Sequence, residues 1–254
     1  DISADGSTIA FSYQGDIFTV PVSGGLAKQI TSNQAYDSDP LWTTDGKSIV
    51  FSSFREGTKD IWIIPAEGGK ARRLTTFPGA ETPLFVSKDG VVYFSANIQP
   101  DVNYDKFPGE PQVYTVNIKD GKSSLYTSIP MMNISANSNG IVLYEDYKGY
   151  EDPLRKHHTS SVTRDIWKYL PKKGQYQKLS RFAGENRNPV FTSNGLDYYF
   201  LSEQSGNFNV WKSNINAPET ATQITQLPTH PVRNLSIAAD NTLLFSYNGD
   251  LYTL

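Results

Sequence analysis

Residues 155–167 read RKHHTSSVTRDIW, and about a dozen positions there hold every side-chain type a serine-hydrolase triad needs. His157 or His158 would supply the base, Ser160 or Ser161 the nucleophile, and Asp165 the orienting carboxylate. The paired histidines, two of the three in the chain, could equally form half of a metal site. Both chemistries set geometric conditions. A triad needs a base held by a third group and an oxyanion hole beside a rigidly turned nucleophile, and no G-x-S-x-G elbow occurs anywhere in the chain. A metal needs three or four converging ligands, whereas adjacent side chains on extended backbone point apart and His230 lies far along the sequence. No catalytic residue, metal ligand or cofactor is therefore assigned.

What must position this stretch is a repeat. DISADGSTIAFSYQGDIFTVPVSGGLAKQIT, from Asp1, and DPLWTTDGKSIVFSSFREGTKDIWIIPAEGGKARRLT, from Asp39, share one grammar. Each has a short apolar strand, a turn ending in Asp-Gly, a β-branched and aromatic strand, a connector, a strand opening on Asp-Ile-aromatic, a Gly-Gly turn, and a strand ending in Thr. The unit returns in TPLFVSKDGVVYFSA, NISANSNGIVLYEDY, NPVFTSNGLDYYFLS and NLSIAADNTLLFSYNGDLYTL. Its turn residues are Gly6, Gly46, Gly90, Gly140, Gly195 and Asn241, so the steps are 40, 44, 50, 55 and 46 residues.

A period of about 40–50 residues carrying four strands marks a β-propeller blade. Six copies fill the 254 residues, which predicts an all-β six-bladed propeller of four-stranded antiparallel blades with the last blade incomplete. The chain is expected to form a single domain, with blades near 1–33, 39–79, 82–130, 132–185, 188–230 and 232–254. Asp-Gly and Asn-Gly should form two-residue hairpin turns with positive φ. Pro40, Pro83 and Pro189 should open first strands, where a missing N–H costs little. Phe18, Trp62, Tyr114, Trp167, Trp211 and Tyr252 recur in third strands and are expected to be buried between neighbouring sheets. Arg72 and Arg73, on an outer strand, are expected to guard the sheet edge.

Charge and composition exclude some partners. A net charge of −3, with 23 basic and 26 acidic residues intermingled, gives no footprint for nucleic acid or an anionic membrane. No apolar run approaches the roughly 18 residues of a membrane helix, so membrane insertion is not expected. Zero cysteines exclude disulfides and leave the compartment open. The start at Asp1 without Met reads as the loss of a signal peptide or a longer N-terminal part, which tips the balance towards a periplasmic or exported location.

The unit DPLWTTDGKSIVFSS with DIWIIPAEGGKARRLT resembles the repeat of TolB propellers, Tricorn propellers and the propellers of prolyl oligopeptidase relatives. Residues 147–169, YKGYEDPLRKHHTSSVTRDIWKY, are similar to the fourth blade of the six-bladed N-terminal propeller of Tricorn-like serine peptidases. In that family a second propeller, a PDZ domain and a peptidase domain follow. The resemblance implies a non-catalytic domain that filters, guides or docks peptides for a distant active site. On this view LRKHHTSSV is a connector between strands. Its Arg155, Lys156, His157, His158 and Arg164 would form a basic rim meeting a peptide carboxylate or the following domains of the same polypeptide. The plainer alternative is a connector loop solvated or paired in place. The segment 97–112, NIQPDVNYDKFPGEPQ, is the other long connector. Two other functions fit the fold: a TolB-like periplasmic protein-interaction propeller, and a metal-dependent sugar lyase using the histidines.

Overall fold

Each Asp-Gly or Asn-Gly signal closes a hairpin in the computed structural model, which describes residues 1–97, 110–149, 152, 155 and 160–254. The turn differs from the expected two-residue form. Gly6, Gly46, Gly90, Gly140, Gly195 and Asn241 have φ between 67° and 76°, but the Asp or Asn before each glycine does not. Each donates its N–H to the carbonyl three residues back, as Gly46 does to Thr43 O. This is a type I turn followed by a left-handed residue. The Asp side chain explains its own place in the motif: Asp5, Asp45 and Asp240 accept the amide two residues on, as does Asn194. True two-residue turns with both φ positive occur at Gln14-Gly15 and Asn248-Gly249.

Six antiparallel sheets follow one another along the chain. Sheet one holds β1 (Thr8–Tyr13), β2 (Asp16–Pro21) and β3 (Lys28–Gln29), with an isolated Ile2–Ile9 bridge beside β1. Sheet two holds β4 (Asp37–Trp42), β5 (Ser48–Ser53), β6 (Asp60–Pro65) and β7 (Arg72–Arg73). Sheet three holds β8 (Glu81–Val86), β9 (Val91–Ala96), β10 (Gln112–Asn117) and β11 (Ser123–Thr127). Sheet four holds β12 (Met131–Ala136), β13 (Val142–Asp146), β14 (Ile166–Leu170) and β15 (Gln175–Lys178). Sheet five holds β16 (Asn186–Phe191), β17 (Asp197–Ser202), β18 (Asn209–Asn214) and β19 (Ala217–Gln223). Sheet six holds β20 (Arg233–Ile237), β21 (Leu243–Tyr247) and β22 (Asp250–Thr253). The chain is thus an all-β six-bladed propeller with blades of three and four strands.

Two compact units divide it, Asp1–Met131 and Met132–Leu254. Inside the first, one core joins sheets one and two through Ala10, Ile17, Trp42, Phe51 and Trp62, and another joins sheets two and three through Val50, Ile61, Val92 and Phe94. Inside the second, Leu143, Ile166 and Phe200 pack between sheets four and five, and Phe208, Val210, Leu235 and Phe245 between sheets five and six. The strand period of two explains why the centres of β5 and β6, Ile49–Phe51 and Ile61–Ile64, are apolar without alternation: successive residues feed the cores on opposite faces of sheet two.

The first strands carry a second repeat. Asp39, Asn133, Asn188 and Asn234 all have φ between 45° and 56°. In β4, β16 and β20 they sit where the register shifts, so these strands are bulged. Pro40 and Pro189 follow two of these residues, so prolines sit at bulges rather than at strand starts, and Pro83 likewise borders a register shift in β8. The third-strand aromatics are buried at Trp62 and Tyr114, while Tyr252 is 43% exposed. What all six share is a cross-strand aromatic partner: Phe11–Phe18, Phe51–Trp62, Phe94–Tyr114, Tyr144–Trp167, Phe200–Trp211 and Phe245–Tyr252. Arg72 and Arg73 are no edge guard. Arg73 neutralises the buried Asp60 at 2.8 Å, and Arg72 donates to Ile118 O of sheet three at 2.6 Å.

Candidate functional site: the sheet-four connector

The connector between β13 and β14 is closed at its base by charge. Asp165 O accepts from Asp146 N, and Asp146 Oδ1 accepts from Asp165 N at 2.7 Å. Lys148 Nζ donates to Asp165 Oδ2 at 2.6 Å and to Thr163 O at 2.7 Å, and Trp167 Nε1 donates to Asp146 Oδ2. Lys178 Nζ and Ser180 Oγ complete the shell of Asp165. Burial opposes ionisation of Asp165, but donation from Lys148, Lys178 and Ser180 outweighs it and holds the carboxyl below its ordinary range. Asp165 is therefore spent on its own sheet. Ser160 Oγ accepts from Val162 N within a local turn. His230 lies edge-on to Tyr247, and its carbonyl accepts from Asn207 Nδ2.

Asp165 also belongs to a recurring clasp. In sheets one, four and five a hydroxyl accepts an amide at the start of β2, β14 or β18 and donates to the side chain of the residue just before that amide. The sets are Thr31 with Ile17 and Asp16, Ser180 with Ile166 and Asp165, and Thr225 with Val210 and Asn209. The Asp-Ile-aromatic and terminal Thr of the repeat are the two halves of this clasp.

Arg155 is itself anchored to the next sheet. Its side chain is fully buried, with Nη2 2.9 Å from Glu203 Oε2 and 3.2 Å from Glu185 Oε2. Its guanidinium lies over the Phe208 ring at 5.2 Å, and that of Arg187 lies over the same ring at 4.9 Å. Arg187 Nε meets Glu185 Oε1 at 2.6 Å, so Glu185 serves two arginines. Burial nevertheless pushes Glu185 above the usual carboxylate range against those charges. Arg233 of β20 donates to Arg155 O at 3.3 Å, which brings sheet six into the same junction. Arg164 Nη1 pairs with the buried Glu145 Oε1 at 2.6 Å, while Glu145 Oε2 accepts from Asn133 Nδ2 and Asn188 N.

Of the five candidate rim residues, the structure thus gives Arg155 and Arg164 carboxylate partners inside the fold. Lys156, His157 and His158 lie outside the described residues, as does most of the 97–112 connector. Among the described residues no group of three or more His, Asp or Glu could hold a metal ion, and no helix is long and apolar enough to cross a membrane. Glu145, Glu185, Glu203, Arg187 and Phe208 carry much of the junction, yet no local motif marks them.

Known proteins share this architecture. A tricorn protease from Thermoplasma volcanium is 23% identical over 253 residues, covering 98% of this chain and 24% of the relative. The crystal structure of the tricorn protease superposes with a TM-score of 0.80 at 20% identity, over 99% of this chain and 24% of that one. TolB from Acinetobacter baumannii superposes with a TM-score of 0.70 at 16% identity, over 98% of this chain and 66% of TolB. The chain spans about a quarter of the tricorn proteases it matches. The family model of the Tricorn protease N-terminal beta propeller domain matches residues 1–254, and the chain belongs to that family.

Proposed function

We propose that this propeller is a non-catalytic module of a Tricorn-like serine peptidase, which docks or guides peptides for a peptidase domain carried elsewhere in a longer polypeptide. The observation that supports this most is the anchoring of Arg155, held by Glu185 and Glu203 and gripped at its carbonyl by Arg233. An anchor at Arg155 suits a recognition surface, and Asp165, the carboxylate a triad would have used, is already engaged by Lys148 and Ser180. Lys156, His157 and His158, next in sequence, are the proposed contacts for a peptide carboxylate or another domain of the same polypeptide.

The test is binding of short peptides with free or amidated C-termini to the purified chain, and to a variant carrying Lys156→Ala, His157→Ala and His158→Ala. Preference for the free carboxylate, lost in the variant, is expected together with no peptide hydrolysis. Hydrolysis by the purified chain, or equal binding by both proteins, overturns the reading. The TolB likeness supports a protein-binding propeller as the second reading. That reading predicts capture of a folded partner without carboxylate preference.

A further inference from the structure

Sheet two departs from the clasp of its sister sheets. Thr75 Oγ1 still accepts from Ile61 N at 2.9 Å, but its own proton goes to Glu81, at the start of β8 in sheet three, and not to Asp60. Glu81 Oε2 also accepts from Ile61 N at 3.2 Å. The Glu81 side chain thus reaches across the seam between sheets two and three. It is fully buried, and its Oε1 is buried without a hydrogen-bond partner. The equivalent residue of sheet two, Asp37, pairs with Arg55 at 2.6 Å. Among the described residues Glu81 has no such cation.

The surrounding charges are already committed. Asp60 on β6 faces Glu81 and is bound by Arg73 on β7 and by Thr58. Lys59 is held by Asp39 of β4 and Thr82 of β8. On β5, Ser52 Oγ donates to the backbone carbonyl of Glu81. The seam behind is apolar, formed by Val50, Ile61, Leu74, Val86 and Phe94.

We propose that Glu81 is a pH-sensitive latch on the seam between sheets two and three, closed when its carboxyl is protonated and loosened when it ionises. A protonated carboxyl brings no charge into the seam, whereas a carboxylate there faces Asp60 and an apolar wall. Burial first, then the Asp60 charge, pushes the group up to about 7 against the opposing effects of Thr75 and of the Ile61 and Phe77 backbone amides. An acid raised in the folded state gives full stability below its ordinary value of 4.5. That contribution is lost as pH rises through about 7.

Amide hydrogen exchange between pH 5 and 8, corrected for the intrinsic rate, tests the latch. Protection of the Ile61 amide should fall on the order of 50-fold across that range. The Ile17 and Val210 amides, clasped by Thr31 and Thr225 without such a glutamate, should hold steady. Glu81→Gln should abolish the fall. Carboxyl carbon NMR of the unsubstituted, glutamate-labelled chain gives a reading independent of any variant. A titration midpoint near 7 supports the latch, and a Glu81 midpoint below about 5.5, or a pH-independent Ile61 amide, overturns it.

Discussion

Arg155 shows how far a side chain's role can lie from its residue type. A basic residue in a run of Arg, Lys and His suggests an exposed rim, yet its guanidinium is sealed between two carboxylates and an aromatic ring. Removing one partner of a buried ion pair leaves the other uncompensated. Arg155→Met should therefore cost about 3–5 kcal/mol in urea unfolding. Arg155→Lys should recover only part, because an ammonium cannot present a planar fork to both glutamates. Asp165 makes a pH prediction of opposite sign to Glu81. Its folded-state value lies below the ordinary 3.8, so its contribution is present above that value and is lost as pH falls through the lowered one. Thermal unfolding between pH 2 and 6 should show a shallower acid limb for Asp165→Asn than for the unsubstituted chain.

The elements are held by two small devices repeated along the chain, the hydroxyl clasp and the cross-strand aromatic pair. The clasp satisfies a buried amide that no strand partner reaches, so its loss leaves a donor orphaned. Ser180→Ala and Thr225→Val should each cost about 1–2 kcal/mol, measured by chemical denaturation. Thr220→Ala, on an exposed position of β19, should stay within about 0.5 kcal/mol. The aromatic pairs explain why blade sequences read as Phe or Tyr in the second strand and aromatic in the third. Facing residues on neighbouring strands share one side of the sheet, and the rings of Phe11–Phe18, Phe94–Tyr114 and Phe245–Tyr252 stack there. Tyr252 accordingly keeps its partner Phe245 while remaining partly exposed.

At the scale of the molecule, the sheets were legible because strand period, turn residues and repeat spacing act within a few residues of one another. The Asp-Gly, Asn-Gly and Asp-Asn signals located every first hairpin, but they named the wrong turn, since a dipeptide does not say which of its residues adopts positive φ. The clasp residues were visible as repeat letters without their meaning. The junction around Arg155 was not legible: Glu185 is 30 residues away and Arg233 is 78, and only folding brings them together. Nor did local sequence distinguish Glu81 from the aspartates that open other strands, such as Asp37 and Asp60, because its isolation depends on Asp60 and Thr75 in another sheet. The hairpin turns also bear on how the chain ages. At Asn139-Gly140 and Asn194-Gly195, spontaneous loss of ammonia through a succinimide needs the glycine nitrogen to reach the side-chain carbonyl. Gly195 N is tied to Thr192 O, while Asn194 Oδ1 already takes the Thr192 hydroxyl and two backbone amides. The same turn that punctuates the repeat is thus a brake on its own decay, and simple hydrolysis there would yield the aspartate that sheets one to three already carry.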